Sequence, residues 1–202
     1  MSFNETYKLH HPPDTSEKSK TKQGYYKVQN VQKYVGNPNL VIYRSSWEYV
    51  FCRWCDFSPS IVRWSSEPIR IPYYDRVSKL EEYKKNGIDP NNPKNWVIKY
   101  YNTDYWIEVA QGDGTIKRMF IEIKPAYKLK KPIPPPENAP LKDIKRFNAL
   151  AKEYLINEAK FAAIKAWAEK NNAEFWVFTE ETLQKVAAKF WNENFKKNNE
   201  TI

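Results

Sequence analysis

The stretch that most constrains this chain is residues 95–124, where NWVIKYYNTDYWIEV and IKRMFIEIK flank the short connection AQGDGT. Both flanks are rich in β-branched and aromatic side chains and the connection holds two glycines, so the stretch reads as a β-hairpin. If Gly112, Asp113 and Gly114 form a three-residue loop, with Gly114 free to take a positive φ, pairing is symmetric about residue 113. Asp104 then stands opposite Glu122. Lys124 shares the face of Glu122 by the strand period of two, and Ile121 and Ile123 point the other way, into a core. A two-residue Asp113-Gly114 turn instead pairs Asp104 with residue 123 and throws Glu122 to the opposite face. The first register gathers two carboxylates and an ammonium, a candidate metal-dependent phosphodiesterase site. In either register an xExK at a strand end also reads as ordinary alternating charge on an exposed strand face.

With 202 residues the chain is sized for one core with decorations. A formal net charge of +9 and an aromatic content of 16% favour a polyanionic partner, most simply nucleic acid. No run approaches the ~20 consecutive apolar residues of a membrane span and no signal peptide is visible, so no membrane partner and a reducing cytoplasm are expected. Cys52 and Cys55 lie three apart in an apolar helical pattern. Zinc needs four ligands, and the two histidines, His10 and His11, fall in a polar arm, so the cysteines read as buried structural thiols.

Taken in order, residues 1–23 are polar, broken by Pro12 and Pro13, and read as a disordered arm. A helix is expected to start within residues 44–48 and run to about 57, with Trp47, Val50, Phe51 and Trp54 as its apolar stripe. Ser45 and Glu48 have the spacing of a capping box, which offers Glu48 a purely structural role beside a catalytic one. Two short strands, 61–64 and 68–71, precede an insertion at 76–94 that carries a charged helix. After the hairpin, residues 117–131 hold six basic side chains (Lys117, Arg118, Lys124, Lys128, Lys130, Lys131) against one acid, Glu122. A Pro/Lys-rich loop over 125–140 follows; it reads equally as a solvated linker and as a DNA-backbone contact. Residues 141–171 are strongly helical, 174–178 form a continuous apolar strand of the buried type, and an amphipathic helix starts after Thr179. The order predicts an α/β fold, a mixed sheet flanked by helices on both sides, with a nuclease domain over 24–183 and a helical extension over 184–202.

That order, with Glu on the first helix, Asp on one core strand and ExK on the next, resembles the PD-(D/E)xK restriction-endonuclease-like superfamily. More narrowly it resembles the head completion nucleases of T-even-like tailed phages, relatives of the transposase endonuclease subunit family. The blocks that carry the likeness are KYVGNP (33–38), YRSSWEYVFCRWCD (43–56), RWSSEPIRIPY (63–73), TDYWIEV (103–109), IEIKP (121–125), NEAKFAAIKAWAEKNN (157–172) and FWVFTEETL (175–183). Thr103 stands where the superfamily name implies proline.

The resemblance implies a restriction-endonuclease-like core and a DNA endonuclease whose catalytic set is Glu48, Asp104, Glu122 and Lys124. It implies Mg²⁺ or Mn²⁺ held by Asp104, Glu122 and the Ile123 carbonyl, with Glu48 as a further ligand. Lys117, Arg118, Lys128, Lys130, Lys131, Asn157 and Lys160 are the candidate DNA contacts; an ordinary polar helix face is the plain alternative for the last two. Action on packaged DNA beside phage head and portal proteins is implied, in the host cytoplasm or on the virion. A structural DNA-end or portal-binding protein with a vestigial nuclease core, and a host-targeting or recombination endonuclease, are the competing readings.

Overall fold

The computed structural model describes residues 5–195, with side chains from Lys8 onward. Residues 1–4 of the expected arm and 196–202 of the expected C-terminal extension lie outside them. In chain order the elements are α1 (Glu5–His10), β1 (Gly24–Tyr25), β2 (Ile42–Tyr43), α2 (Ser46–Phe57), β3 (Ile61–Ser66), β4 (Arg70–Asp75), α3 (Leu80–Asn86), β5 (Val97–Asn102), β6 (Tyr105–Ala110), β7 (Ile116–Ile123), α4 (Leu141–Lys170), β8 (Glu174–Phe178), α5 (Glu180–Val186) and α6 (Ala188–Phe195). Among the described residues no helix is long and apolar enough to cross a membrane. The expected arm carries α1, and Lys8 on it is buried, donating to Tyr34 Oη at 3.2 Å and Ser66 Oγ at 3.3 Å.

The chain divides into two compact units. The first takes the described parts of Met1–Arg70, Asn102–Lys124 and Ala168–Ile202, and the second Ile71–Tyr101 and Pro125–Trp167. The first unit holds a four-stranded mixed sheet in the order β3-β6-β7-β8, antiparallel except for the parallel β7-β8 pair. The hairpin register is the symmetric one: Tyr105 pairs with Ile121 and Ala110 with Ile116, with Gly114 at φ 83°. Tyr105, Ile107, Ile121 and Ile123 therefore share one face, and α2 lays Phe51, Cys52 and Cys55 into the same core with Trp64, Phe178 and Leu183. Both cysteines are buried free thiols, as expected.

Three expectations need correction. The run 95–109 is not one strand: it breaks at Thr103 and Asp104 into β5 and β6, which belong to different sheets, as do β3 and β4. The break between β3 and β4 has a local cause. Glu67 sits at φ 43° and Pro68 has no N–H, so the chain cannot continue straight from β3 into β4. The strand β8 is not of the buried type: among the described residues it is an edge strand with one neighbour, and Trp176 is 48% exposed. The last amphipathic helix is two helices, broken at Ala187. In the second unit, β4 and β5 form a two-stranded sheet, and α3 ends at Gly87 in the left-handed conformation.

The far end of α2 is fixed by charge. Lys33 Nζ donates to the carbonyls of Cys55, Asp56 and Ser58 at 3.3, 3.1 and 2.7 Å, satisfying the helix's last orphan acceptors. The fully buried Asp56 carboxylate accepts from Tyr26 Oη and from the Gln29 and Asn30 N–H groups. Asp56→Ala leaves these donors unpaired in the core and is expected to cost about 3 kcal/mol in a urea titration, with little change in the denaturant slope.

Candidate functional site

The site forms where the core ladder stops. Beyond the last registered pair, Tyr105 with Ile121, the ladder is continued by side chain: Asp104 Oδ2 accepts from the Ile123 N–H at 2.8 Å. The Asp104 carbonyl in turn accepts from the Glu67 N–H at 2.7 Å. On β7, Glu122 is buried and its Oε1 meets Lys124 Nζ at 2.8 Å, while the Lys124 N–H donates to the Phe178 carbonyl at 3.0 Å. Asp104, Glu122 and Lys124 are thus brought together by the symmetric register that the hairpin sequence allows.

Glu48 reaches the same place from α2. Its N–H donates to Ser45 Oγ, its Oε1 accepts from Ser45 Oγ at 3.1 Å, and its Oε2 accepts from the Arg44 N–H at 2.8 Å. The capping role is real, and it does not remove Glu48 from the site. The Tyr105 hydroxyl, one residue from Asp104, donates to the Glu48 carbonyl at 3.2 Å and ties the helix start to β6.

Electrostatics bind the four groups into one cluster. Burial, and then the neighbouring charge of Glu122, push the Asp104 carboxyl well above the usual carboxylate range, with Lys124 opposing. Burial, aided by the charge of Glu67, raises Glu48 to about 7, against the hydrogen bonds from Arg44 and Ser45 and the charge of Lys124. Burial would lower Lys124, but Glu122 and Asp104 outweigh it and hold the ammonium charged. Three carboxylates thus share one lysine, an imbalance that favours a cation. Among the described residues no three His, Cys, Asp or Glu side chains stand close enough to cage a metal by themselves. Mg²⁺ does not ask for that: one or two carboxylates, with water and phosphate oxygens filling the rest, suit it. Hard oxygen donors and a local excess of negative charge fit such an ion.

The remaining candidates are scattered. Lys117 pairs with Glu174 at 2.9 Å and lies over Trp176, and Arg118 Nε contacts Glu108 at 3.1 Å. In the second unit, Lys128, Lys130 and Lys131 line one groove of about 130 Å³ with Tyr127 and Tyr154, and Lys128 pairs with Glu153 at 2.7 Å. Lys160 Nζ lies 5.8 and 5.5 Å from the ring centres of Tyr73 and Tyr101. Asn157 is buried, its Nδ2 without a hydrogen-bond partner among the described residues.

Two features escape the sequence reading. Glu108, buried on the face of Glu122, takes a two-pronged contact from Arg63 at 2.6 and 2.9 Å besides that of Arg118, which holds its carboxyl below the usual range. The register arithmetic that pairs Asp104 with Glu122 also pairs Glu108 with Arg118, so this signal was present. The second is Glu67, for whose left-handed backbone the sequence gives no sign.

Comparison with known proteins adds two findings. The family described as TnsA-like endonuclease N terminal matches residues 58–180, which include Asp104, Glu122 and Lys124 and exclude Glu48. The head completion nuclease of Enterobacteria phage T4 is 31% identical over 166 residues, covering 82% of this chain and 96% of that protein.

The raised carboxyls have a consequence for stability. A buried acid raised from 4.5 to about 7 favours the folded state fully below about pH 4.5, and that contribution is lost as pH rises through about 7. In EDTA, the urea midpoint is expected to fall between about pH 5.5 and about pH 8, and Glu48→Gln is expected to narrow the fall. An undiminished fall in Glu48→Gln would show that burial of this carboxyl is not its source.

Proposed function

Because the chain belongs to the TnsA-like endonuclease family and has a restriction-endonuclease-like fold, we propose that it is a metal-dependent DNA endonuclease that hydrolyses phosphodiester bonds during head completion of a tailed phage. The observation that carries the reading is the Asp104–Glu122–Lys124 cluster at the end of the hairpin ladder, two carboxylates and a lysine held by backbone and ion-pair contacts. The site assignment rests on that geometry, and the biological setting on the printed name of the phage T4 relative.

Asp104, Glu122 and the Ile123 carbonyl would hold Mg²⁺ or Mn²⁺, with Glu48 at the margin of the same group. Such an ion supplies neutralisation of the scissile phosphate and an attacking water of lowered pKa. The protein's own residues do the rest. Asp104 is oriented by the Ile123 N–H, so one oxygen is fixed before any ligand arrives. Lys124 is charged and donates to Glu122; with phosphate present it would place an ammonium against the charge that develops on the phosphoryl oxygens. Glu48, held by the Arg44 N–H and the Ser45 hydroxyl, would offer a further carboxylate oxygen to a second ion or to a water.

Lys128, Lys130 and Lys131 are proposed to contact DNA backbone, with Lys117, Arg118, Asn157 and Lys160 as further contacts. Arg118 brings Arg63 with it through Glu108. Recognition is proposed to run through DNA backbone and shape. Head and portal proteins are the proposed partners, in the host cytoplasm during assembly.

Cleavage of linear and supercoiled DNA in Mg²⁺, Mn²⁺ and EDTA tests the reading. Asp104→Ala and Lys124→Ala, each shown to be folded, are expected to lose at least about a hundred-fold in cleavage rate while still binding DNA. Wild type that binds and never cuts would favour the structural DNA-end reading instead.

A further inference from the structure

We propose that Glu67 is a positioning residue for this nuclease site, setting both Asp104 and Glu48; the inference rests on the reading above and extends it to a residue that neither capping nor ligand spacing points to. Glu67 follows β3 and is buried, 9% exposed. Its backbone lies at φ 43°, a conformation glycine adopts freely and an L-residue resists, and Pro68 follows it. One carboxylate oxygen accepts from Arg44 Nε at 2.6 Å, and the other, Oε2, is buried without a hydrogen-bond partner among the described residues. Strain, burial of a charge and an unpaired acceptor all oppose folding. A glycine here would relieve the three together.

What Glu67 holds explains its presence. Its N–H donates to the carbonyl of Asp104, so the left-handed turn that ends β3 also fixes the main chain from which the Asp104 carboxylate projects. Its carboxylate holds the Arg44 guanidinium, and the N–H of that same Arg44 donates to Glu48 Oε2. Arg44 Nη2 also donates to the His11 carbonyl, which keeps the guanidinium from swinging away. One residue thus braces two candidate ligands that come from different elements, a strand start and a helix start. Its negative charge also reaches Glu48.

The test uses the full chain with Glu67→Gly, Glu67→Gln and Arg44→Gln. Readouts are kcat and KM on linear duplex DNA in Mg²⁺, and Mn²⁺ affinity by calorimetry. Glu67→Gly is expected to fold, with kcat down about ten-fold or more and KM within about two-fold of wild type. Glu67→Gln, which keeps an acceptor for Arg44, is expected to recover to within about three-fold of wild-type kcat, and Arg44→Gln to match Glu67→Gly. A merely structural Glu67 predicts the reverse: a Glu67→Gly protein at least as stable as wild type and equally active, which would overturn the proposal. If Glu67→Gly does not fold, wild-type kcat in Arg44→Gln overturns it, and reduced kcat there supports it. If wild type itself does not cut DNA, the nuclease reading has failed and Mn²⁺ affinity decides: weakening by about ten-fold in the Glu67 or Arg44 variants upholds the brace, and equal affinity overturns it.

Discussion

The constraint on which this structure turns is the burial of like charge at the end of a β-ladder. Asp104 and Glu122 lie together with Glu48 near by, and the one cation among them, Lys124, is already engaged by Glu122. Burial and the charge of Glu122 raise the cost of ionising Asp104, and an interior offers little water to offset it. A protein that only needed a stable hairpin would place hydrophobic or hydrogen-bonded neutral groups here. A divalent cation beside these carboxylates would offset that cost, which is what the proposed phosphodiester chemistry asks of the site.

Around that constraint the scaffold is rigid. Each site group is fixed by a neighbour that is itself fixed: Asp104 by the Ile123 and Glu67 N–H groups, Lys124 through the Phe178 carbonyl, and the start of α2 through Tyr105 and the Ser45 cap. Lys33 and Asp56 anchor the opposite end of α2. Placement of a metal and a water to within fractions of an ångström is what such bracing provides.

Much of this was legible in the residues. The glycine positions allowed the symmetric register as one of two, and it is this one that puts Asp104 opposite Glu122 and Ile121 and Ile123 into the core. The box formed by Ser45 and Glu48 was readable as a cap, though local spacing could not say that the capped carboxylate also faces the site. The break between β5 and β6 was not legible, because the apolar run 95–109 has strand character throughout and its two halves pair with partners distant in sequence, in different sheets. The edge position of β8 was hidden for a related reason: an apolar run records burial on average, not which strand ends a sheet. The membership of the basic loop and of α4 in a second unit depends on long-range contacts that no local pattern encodes.

The most direct test of the central claim is Mn²⁺ anomalous diffraction from crystals of the full chain. The expected result is a peak within bonding distance of an Asp104 and a Glu122 oxygen, with Lys124 facing the same space. A peak elsewhere, or none at Mn²⁺ concentrations that support cleavage, would contradict it.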